Sequence, residues 1–521
     1  MSSFGVSGTN THLILEHPPT PAAGTNAGPI EDTPPAWNPL VVSGRTPRAL
    51  IAQAHATAEM LEAHSDTPIH YTAAALAHTR TTWEHRAVVL TPDVPTAINA
   101  LRDIDQSAQS STPTTITGTA NGIASGVAMV FTGQGSQRPG MGAELYSTFA
   151  AYREAFDLVC AELDACMPAE AAVHPLRDVV FAQEGTPQAA LLDQTLYTQT
   201  ALFAVEVAML RLTESWGLKA QMVAGHSLGE LTAAHAAGIL SLTDAARLVT
   251  ARGKLMQALP PGGAMLAVHA GEIPVRDLLT DLLDAEFLDV ASVNGPEAIV
   301  LSGTEEAISR AASVLSDCGY KSRRLTVSHA FHSALMDPML AEFSKMAESI
   351  AFQAPKIPVI SALTGDIADP AELCVAAYWV KQVRRTVRFA DVVSTLSRQP
   401  LATVLEIGPD AVLTGMIKAI ADQPAVAFSR RNQSEVHSAL TALAEVFVRG
   451  GRVEWSAVVP KGGNAVVPTT QFQRERYWLS PGGVARDVSG VGLVGVDHWL
   501  LGAVVESPGS GGVVLTGRVG V

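Results

Sequence analysis

Apolar positions recur with two periods along the chain, and the changes of period outline its architecture. Leu40–Ser43 and Arg86–Leu90 alternate as strands, whereas Pro47–His64 and the stretch Thr72–His78 carry helical spacing, which predicts a small α/β unit. A polar, Ser/Thr-rich stretch, Asp105–Thr119, separates this unit from a longer region. There the strand Val127–Phe131 precedes helical patterns at Tyr152–Cys166 and Thr195–Ser215. A short strand (Gln221–Ala224), a glycine-bounded turn and a helix (Leu231–Ala237) follow. Strands alternating with helices predict a doubly wound, mainly parallel sheet. Residues 264–327 break that order. Ala264–His269 reads as a strand, Pro274–Asp284 as a helix, Leu288–Val293 and Ala298–Ser302 as strands around Asn294-Gly295-Pro296, Glu305–Cys318 as a helix and Lys321–Val327 as a strand. This βαββαβ order predicts a ferredoxin-like subdomain inserted in the main sheet. A helix at Glu435–Arg449 leads into an irregular tail.

The ends read as fragments of neighbouring domains. In residues 1–17 a glycine-rich turn runs into the apolar Leu13–Leu15 with no core of its own, and 18–36 has the composition of a flexible linker. Residues 481–496 are rich in Gly and Val, and the last segment, with Val513–Leu515, is strand-like but too short to fold alone. At 521 residues the prior is about three units. With 47% hydrophobic and 16% charged residues, most of the chain has enough apolar surface to fold. The formal charge of −15 argues against a nucleic-acid partner, whose phosphates need cations. Four cysteines without a CxxC pair fit a reducing compartment and suggest neither a disulfide scaffold nor a metal site. No apolar run approaches the roughly 18 residues of a membrane span, and the first residues lack a signal-peptide pattern. A cytoplasmic location, with no membrane partner, is the expectation.

Gly225-His226-Ser227-Leu228-Gly229 is a short motif whose weight comes from its context: a strand before it and a helix after it form a nucleophile elbow. Small residues at 225 and 229 allow a sharp turn that presents the Ser227 hydroxyl at a helix N-terminus, where N–H groups stabilise developing negative charge. The serine needs a base. Of fifteen histidines, His329 and His332 in Ser328-His329-Ala330-Phe331-His332-Ser333 lie where the chain returns from the insert to the main domain, at the cleft between them. Position alone does not choose between the two. Arg252, 25 residues after Ser227, would suit a carboxylate-bearing substrate through a bidentate pair. Basic residues cluster at Lys321, Arg323 and Arg324, and again at Lys381, Arg384, Arg385 and Arg388; solvated faces are the plainer reading, coenzyme phosphates or an acidic partner the sharper one.

Five separated motifs occur in one order: Val130-Phe131-Thr132-Gly133-Gln134-Gly135-Ser136-Gln137, Gly225-His226-Ser227-Leu228-Gly229-Glu230, Arg252-Gly253-Lys254-Leu255-Met256-Gln257, His329-Ala330-Phe331-His332 and Glu406-Ile407-Gly408-Pro409. Together they resemble the acyltransferase domain of modular type I polyketide synthases, over 126–427. Residues 1–17 resemble the end of a ketosynthase, 37–125 the ketosynthase-to-acyltransferase linker, and 428–480 the following linker, closing on Arg476-Tyr477-Trp478. Residues 481–521 resemble a truncated dehydratase start, in which Asp497-His498-Trp499 lacks the usual proline after the histidine. The resemblance implies an α/β-hydrolase-like fold with Ser227 as nucleophile and His332 as base. It further implies Arg252 as carboxylate binder and an oxyanion hole from the backbone N–H groups of Gln134 and Leu228. Gln382 would orient the histidine through its backbone carbonyl, so no triad aspartate is needed. His329 and Phe331 would set selectivity, and Gln199 falls in a stretch lining the site in relatives. No tightly bound cofactor or metal is implied. The implied substrate is malonyl-CoA, and the acceptor is the phosphopantetheine thiol of an acyl carrier protein; the neighbouring ketosynthase and dehydratase would be partners in the same polypeptide. His-Ala-Phe-His and Leu228 usually accompany malonyl selectivity. The alternatives are a methylmalonyl-selective enzyme, a thioesterase of the α/β-hydrolase type, and a non-catalytic docking scaffold.

Overall fold

The computed structural model describes residues 2–4, 10–14, 36–105, 114–120, 122, 126–284, 288–461, 463, 465–475, 493–498, 501–507 and 509–516. The segment 18–35 and the motif Arg476-Tyr477-Trp478 lie outside them. Chain contacts divide the protein into two units, Met1–Gln471 and Phe472–Val521.

The centre of the first unit is a five-stranded parallel sheet in the order Val359–Ile360, Ala220–Gly225, Gly126–Phe131, Leu401–Ile407 and Ala425–Ala427. Successive residues of the middle strand point to opposite faces: Met129 and Phe131 enter one hydrophobic cluster, Ala128 and Val130 another. Covering both faces explains why these strands read as continuous apolar runs. The helix Thr195–Ser215 is buried on nearly every side, which is why it shows little amphipathic contrast. Register matters most for function. Phe131 lies opposite both Gly225 and Ile407, so three motifs leave the sheet at one level, at the carboxyl ends of its strands.

The insert is an antiparallel four-stranded sheet in the order Lys321–Arg324, Gly263–His269, Ala298–Thr304 and Leu288–Gly295, with its own core around Leu266, Val275, Leu301 and Ile308. This is the ferredoxin-like order. The expected helix at 274–284 is two shorter helices, Glu272–Leu278 and Thr280–Asp284.

In the small α/β unit the strands are Asn38–Gly44, His85–Thr91 and Thr115–Thr119. The last lies inside the stretch read from sequence as a polar separator. Its threonines mask the alternation, while Ile116 is buried in the main hydrophobic cluster with Val41 and Val88. The tail is ordered by what it covers. Val459 and Val467 complete the small unit's core, His78 bonds the Val459 carbonyl, and Arg80 donates to the carbonyls of Val467 and Pro468.

Near the N-terminus the strands are Ser2–Phe4 and Asn10–His12, paired with each other. The apolar Leu13 and Ile14 follow the end of the second strand. In the second unit Val494–Gly495, Ala503–Glu506 and Val513–Thr516 form an antiparallel sheet. Among the described residues no helix is long and apolar enough to cross a membrane.

Candidate active site

Ser227 sits between the strand Ala220–Gly225 and the helix Gly229–Ala236, with φ 52°, a left-handed conformation that costs a non-glycine residue about 1–3 kcal/mol. Two glycines permit it. A β-carbon on Gly225 would lie 2.0 Å from the Gly229 carbonyl carbon, and one on Gly229 would lie 2.2 Å from the Phe131 carbonyl oxygen. His332 also has positive φ, 56°. Both side chains are thus aimed by strained backbone.

They meet. Ser227 Oγ lies 2.7 Å from His332 Nε2, and His332 Nδ1 lies 2.9 Å from the Arg385 carbonyl oxygen. A carbonyl only accepts, so Nδ1 carries the proton and Nε2 accepts from the serine hydroxyl. The orienting carbonyl therefore belongs to Arg385, not to Gln382 as the resemblance implied. Arg385 caps the helix Ala376–Arg384 in extended conformation, which turns its carbonyl out of the helix. Gln382 acts elsewhere: its Nε2 donates to the Ser227 carbonyl at 2.6 Å.

Arg252, in the helix Leu242–Gln257, is only 1% exposed. Its Nη1 donates to Gln199 Oε1 at 2.8 Å and its Nη2 to Ser227 Oγ at 3.1 Å, while its buried Nε has no hydrogen-bond partner. Burial lowers its pKa to about 10, opposed by Glu230, so it remains a cation at neutral pH. Gln199 is fully buried and also donates to Gln134 Oε1, linking the guanidinium to the loop that carries Gln134. Burial, then the charges of Arg252 and His226, push His332 down to about 3, which leaves it neutral and able to accept a proton.

The candidate oxyanion segments are packed together. The His226 N–H donates to the Phe131 carbonyl, and a β-carbon on Gly133 would meet the His226 carbonyl oxygen at 2.7 Å. The N–H groups of Gly229, Glu230 and Leu231 bond back to His226, Ser227 and Leu228; none of these turn bonds takes the Leu228 N–H. Gly408 approaches Thr132 closely, and Glu406 accepts from the N–H groups of Val412, Leu413 and Thr414, which accounts for the Glu406-Ile407-Gly408 motif.

His329 is held away from the serine: Nδ1 pairs with Ser328 Oγ and Nε2 with the Leu259 carbonyl. Phe331 is buried, its ring centroid 6.2 Å from that of His329. Of the basic cluster, Arg384 pairs with Asp289 and Asp337 and Arg388 with Glu272 and Asp391; the pairs with Asp289 and Glu272 tie the insert to the main domain. The sequence reading assigned no role to Glu230. It is buried, accepts from the Ala362 N–H and the Tyr378 hydroxyl, and burial raises it to about 7. Its place directly after Gly229 in the elbow motif was the available signal.

Residues 128–453 match the acyl transferase domain family. The chain belongs to that family. This acyltransferase is 43% identical over 537 residues to the polyketide synthase GfsA of Streptomyces halstedii, covering all of this chain and 7% of that protein. The chain spans between 7% and 24% of the length of the curated relatives that match it throughout. Among solved structures, it is similar to the acyltransferase domain from the second module of the salinomycin polyketide synthase, at 43% identity and a TM-score of 0.65, covering 80% of this chain and 94% of that one. A malonyl transacylase in complex with its type II acyl carrier protein is similar at 32% identity and a TM-score of 0.54, covering 61% and 99%. The acyltransferase thus shares its fold with polyketide synthase acyltransferase domains and, over 61% of its length, with a malonyl transacylase.

Proposed function

We propose that the acyltransferase moves a malonyl unit from malonyl-CoA to the phosphopantetheine thiol of an acyl carrier protein through an ester on Ser227. The observation that carries this reading is the Ser227 hydroxyl, 2.7 Å from His332 Nε2 and 3.1 Å from Arg252 Nη2. His332 takes the serine proton as Oγ attacks the thioester carbonyl. The C–S bond then breaks, and the proton passes to the departing coenzyme A sulfur. The carrier thiol next attacks the serine ester, giving its proton to His332, which returns it to Ser227 Oγ. The N–H groups of Gln134 and Leu228 hold the negative oxygen in both steps. The unpartnered Nε and the adjacent Nη2 form the two-pronged edge of Arg252 that takes the malonyl carboxylate.

Two observations support transfer over an α/β-hydrolase thioesterase. A backbone carbonyl, not a carboxylate, faces His332 Nδ1, and a ferredoxin-like insert stands between serine and histidine. Phe331 favours malonyl by filling the space an α-methyl group needs. Offering malonyl-, methylmalonyl- and ethylmalonyl-CoA in competition and weighing the intact protein tests both points. The expected product is a malonyl adduct on the native chain and none on S227A; a Ser227→Ala chain that still gains the adduct would refute the assignment.

A further inference from the structure

We propose that Glu206 is a positioning residue that clamps together the two segments carrying the oxyanion-hole N–H groups, those of Gln134 and Leu228. The proposal rests on the acyl-serine reading above. Glu206 lies in the middle of the helix Thr195–Ser215, fully buried, and hydrogen-bonds neither Ser227, His332 nor Arg252. Its two carboxyl oxygens reach in different directions. One lies 2.6 Å from Thr132 Oγ1, the other 2.7 Å from Thr232 Oγ1.

Those two threonines are the point. Thr132 begins the loop that carries Gln134, and its hydroxyl also lies 3.2 Å from Ser136 Oγ, so Gln134 is bracketed on both sides. Thr232 is one turn beyond Leu228 on the elbow helix. A single carboxyl therefore sets the spacing between two chain segments whose N–H groups must converge on one oxygen atom. Burying a carboxyl is costly, and packing alone would be served by an apolar side chain like those flanking it, Val205 and Val207.

The surroundings suit a neutral acid. Burial raises its pKa to about 8, the hydroxyls of Thr132 and Thr232 oppose this, and the Glu406 carboxylate on the neighbouring strand raises it further. A neutral carboxyl offers one donor and one acceptor, and each threonine hydroxyl can take either role. A glutamine offers the same pair; a leucine offers neither.

The test is single-turnover loading of the full chain with malonyl-CoA, followed by intact mass over a range of concentrations, with thermal midpoints measured alongside. Glu206→Leu is expected to lower the saturating loading rate about 10- to 100-fold while the half-saturation concentration stays within about threefold, because misplacement affects the transition state rather than binding. Glu206→Gln is expected to restore the rate to within about threefold of native. Thr132→Val and Thr232→Val each remove one arm of the clamp and should slow loading in the same way; they carry the test if E206L does not fold. Native loading rates in E206L or in both threonine variants would overturn the proposal, as would an E206Q chain as slow as E206L or a loss confined to half-saturation. S227A separates the two readings. If it loads, the nucleophile assignment fails whatever Glu206 does; if it is dead while the Glu206 variants load normally, only the clamp fails.

Discussion

Replacing Arg252 by alanine is the sharpest probe of what the site recognises. The guanidinium is buried, cationic at neutral pH and in no ion pair among the described residues. Its Nε has no hydrogen-bond partner, and its Nη2 donates to the serine hydroxyl. A carboxylate on that edge would gain two charge-assisted hydrogen bonds at about 1.5–3 kcal/mol each, so roughly 3–6 kcal/mol together. That corresponds to a change of about 10²- to 10⁴-fold in preference for malonyl over acetyl donors. R252A also removes the bond to Ser227 Oγ, which affects both donors alike, so the ratio isolates the carboxylate contribution. Competition between malonyl-CoA and acetyl-CoA, read by intact mass, gives that ratio directly. Thermal unfolding checks that leaving Gln199 Oε1 unpaired, at a cost of about 1–3 kcal/mol, has not unfolded the chain. A folded R252A protein whose malonyl-to-acetyl ratio moves less than about threefold would refute the reasoning.

Phe331→Ser should open the pocket and raise methylmalonyl over malonyl loading by about 10- to 100-fold in the competition assay, the range one methyl group commands. Gly229→Ala places a β-carbon 2.2 Å from the Phe131 carbonyl oxygen and is expected to cost about 3 kcal/mol in denaturant unfolding and to abolish loading. His332 and His235 are pushed from 6.5 down to about 3 and about 4, first by burial, then by Arg252 and Arg211 respectively. At these two histidines the unfolded chain binds protons that the folded chain refuses, so their contribution to stability is full above about pH 6.5 and is lost as pH falls towards 4, while Glu206 and Glu230, raised to about 8 and about 7, contribute in the opposite sense. His235→Gln, outside the active site, should flatten part of that decline in midpoints measured from pH 7 to pH 4 and leave loading at pH 7 intact.

Legibility in the sequence followed the physics of each element. The main sheet and the insert were readable because their strands and helices have clean apolar periods, and Thr195–Ser215 was found to the residue. The strand Thr115–Thr119 was not, because threonine suits a strand and a linker equally. The tail after residue 449 was hidden for another reason: its order comes from carbonyls met by Arg80 and His78, nearly 400 residues earlier in the chain, which no local pattern carries. At the site, the elbow motif pointed to Ser227, while only the family resemblance chose His332 over His329 and gave Arg252 its role; the structure brings the three side chains together. The carbonyl facing His332 was misassigned by three residues because a backbone oxygen has no side-chain signature; only the helix end at Arg384 decides which one turns outward. Gln199 bridges Arg252 and Gln134.

The way the tail seals the small α/β unit bears on where such enzymes can be cut for transplantation. A graft ending at 427 would leave behind Val459 and Val467, stripping two apolar plugs from the donor's flanking unit, and would leave Nε and Nη2 of Arg80 without their carbonyl partners. A seam placed beyond Gln471 carries those plugs along. The portable piece is thus set by a strap that performs no chemistry.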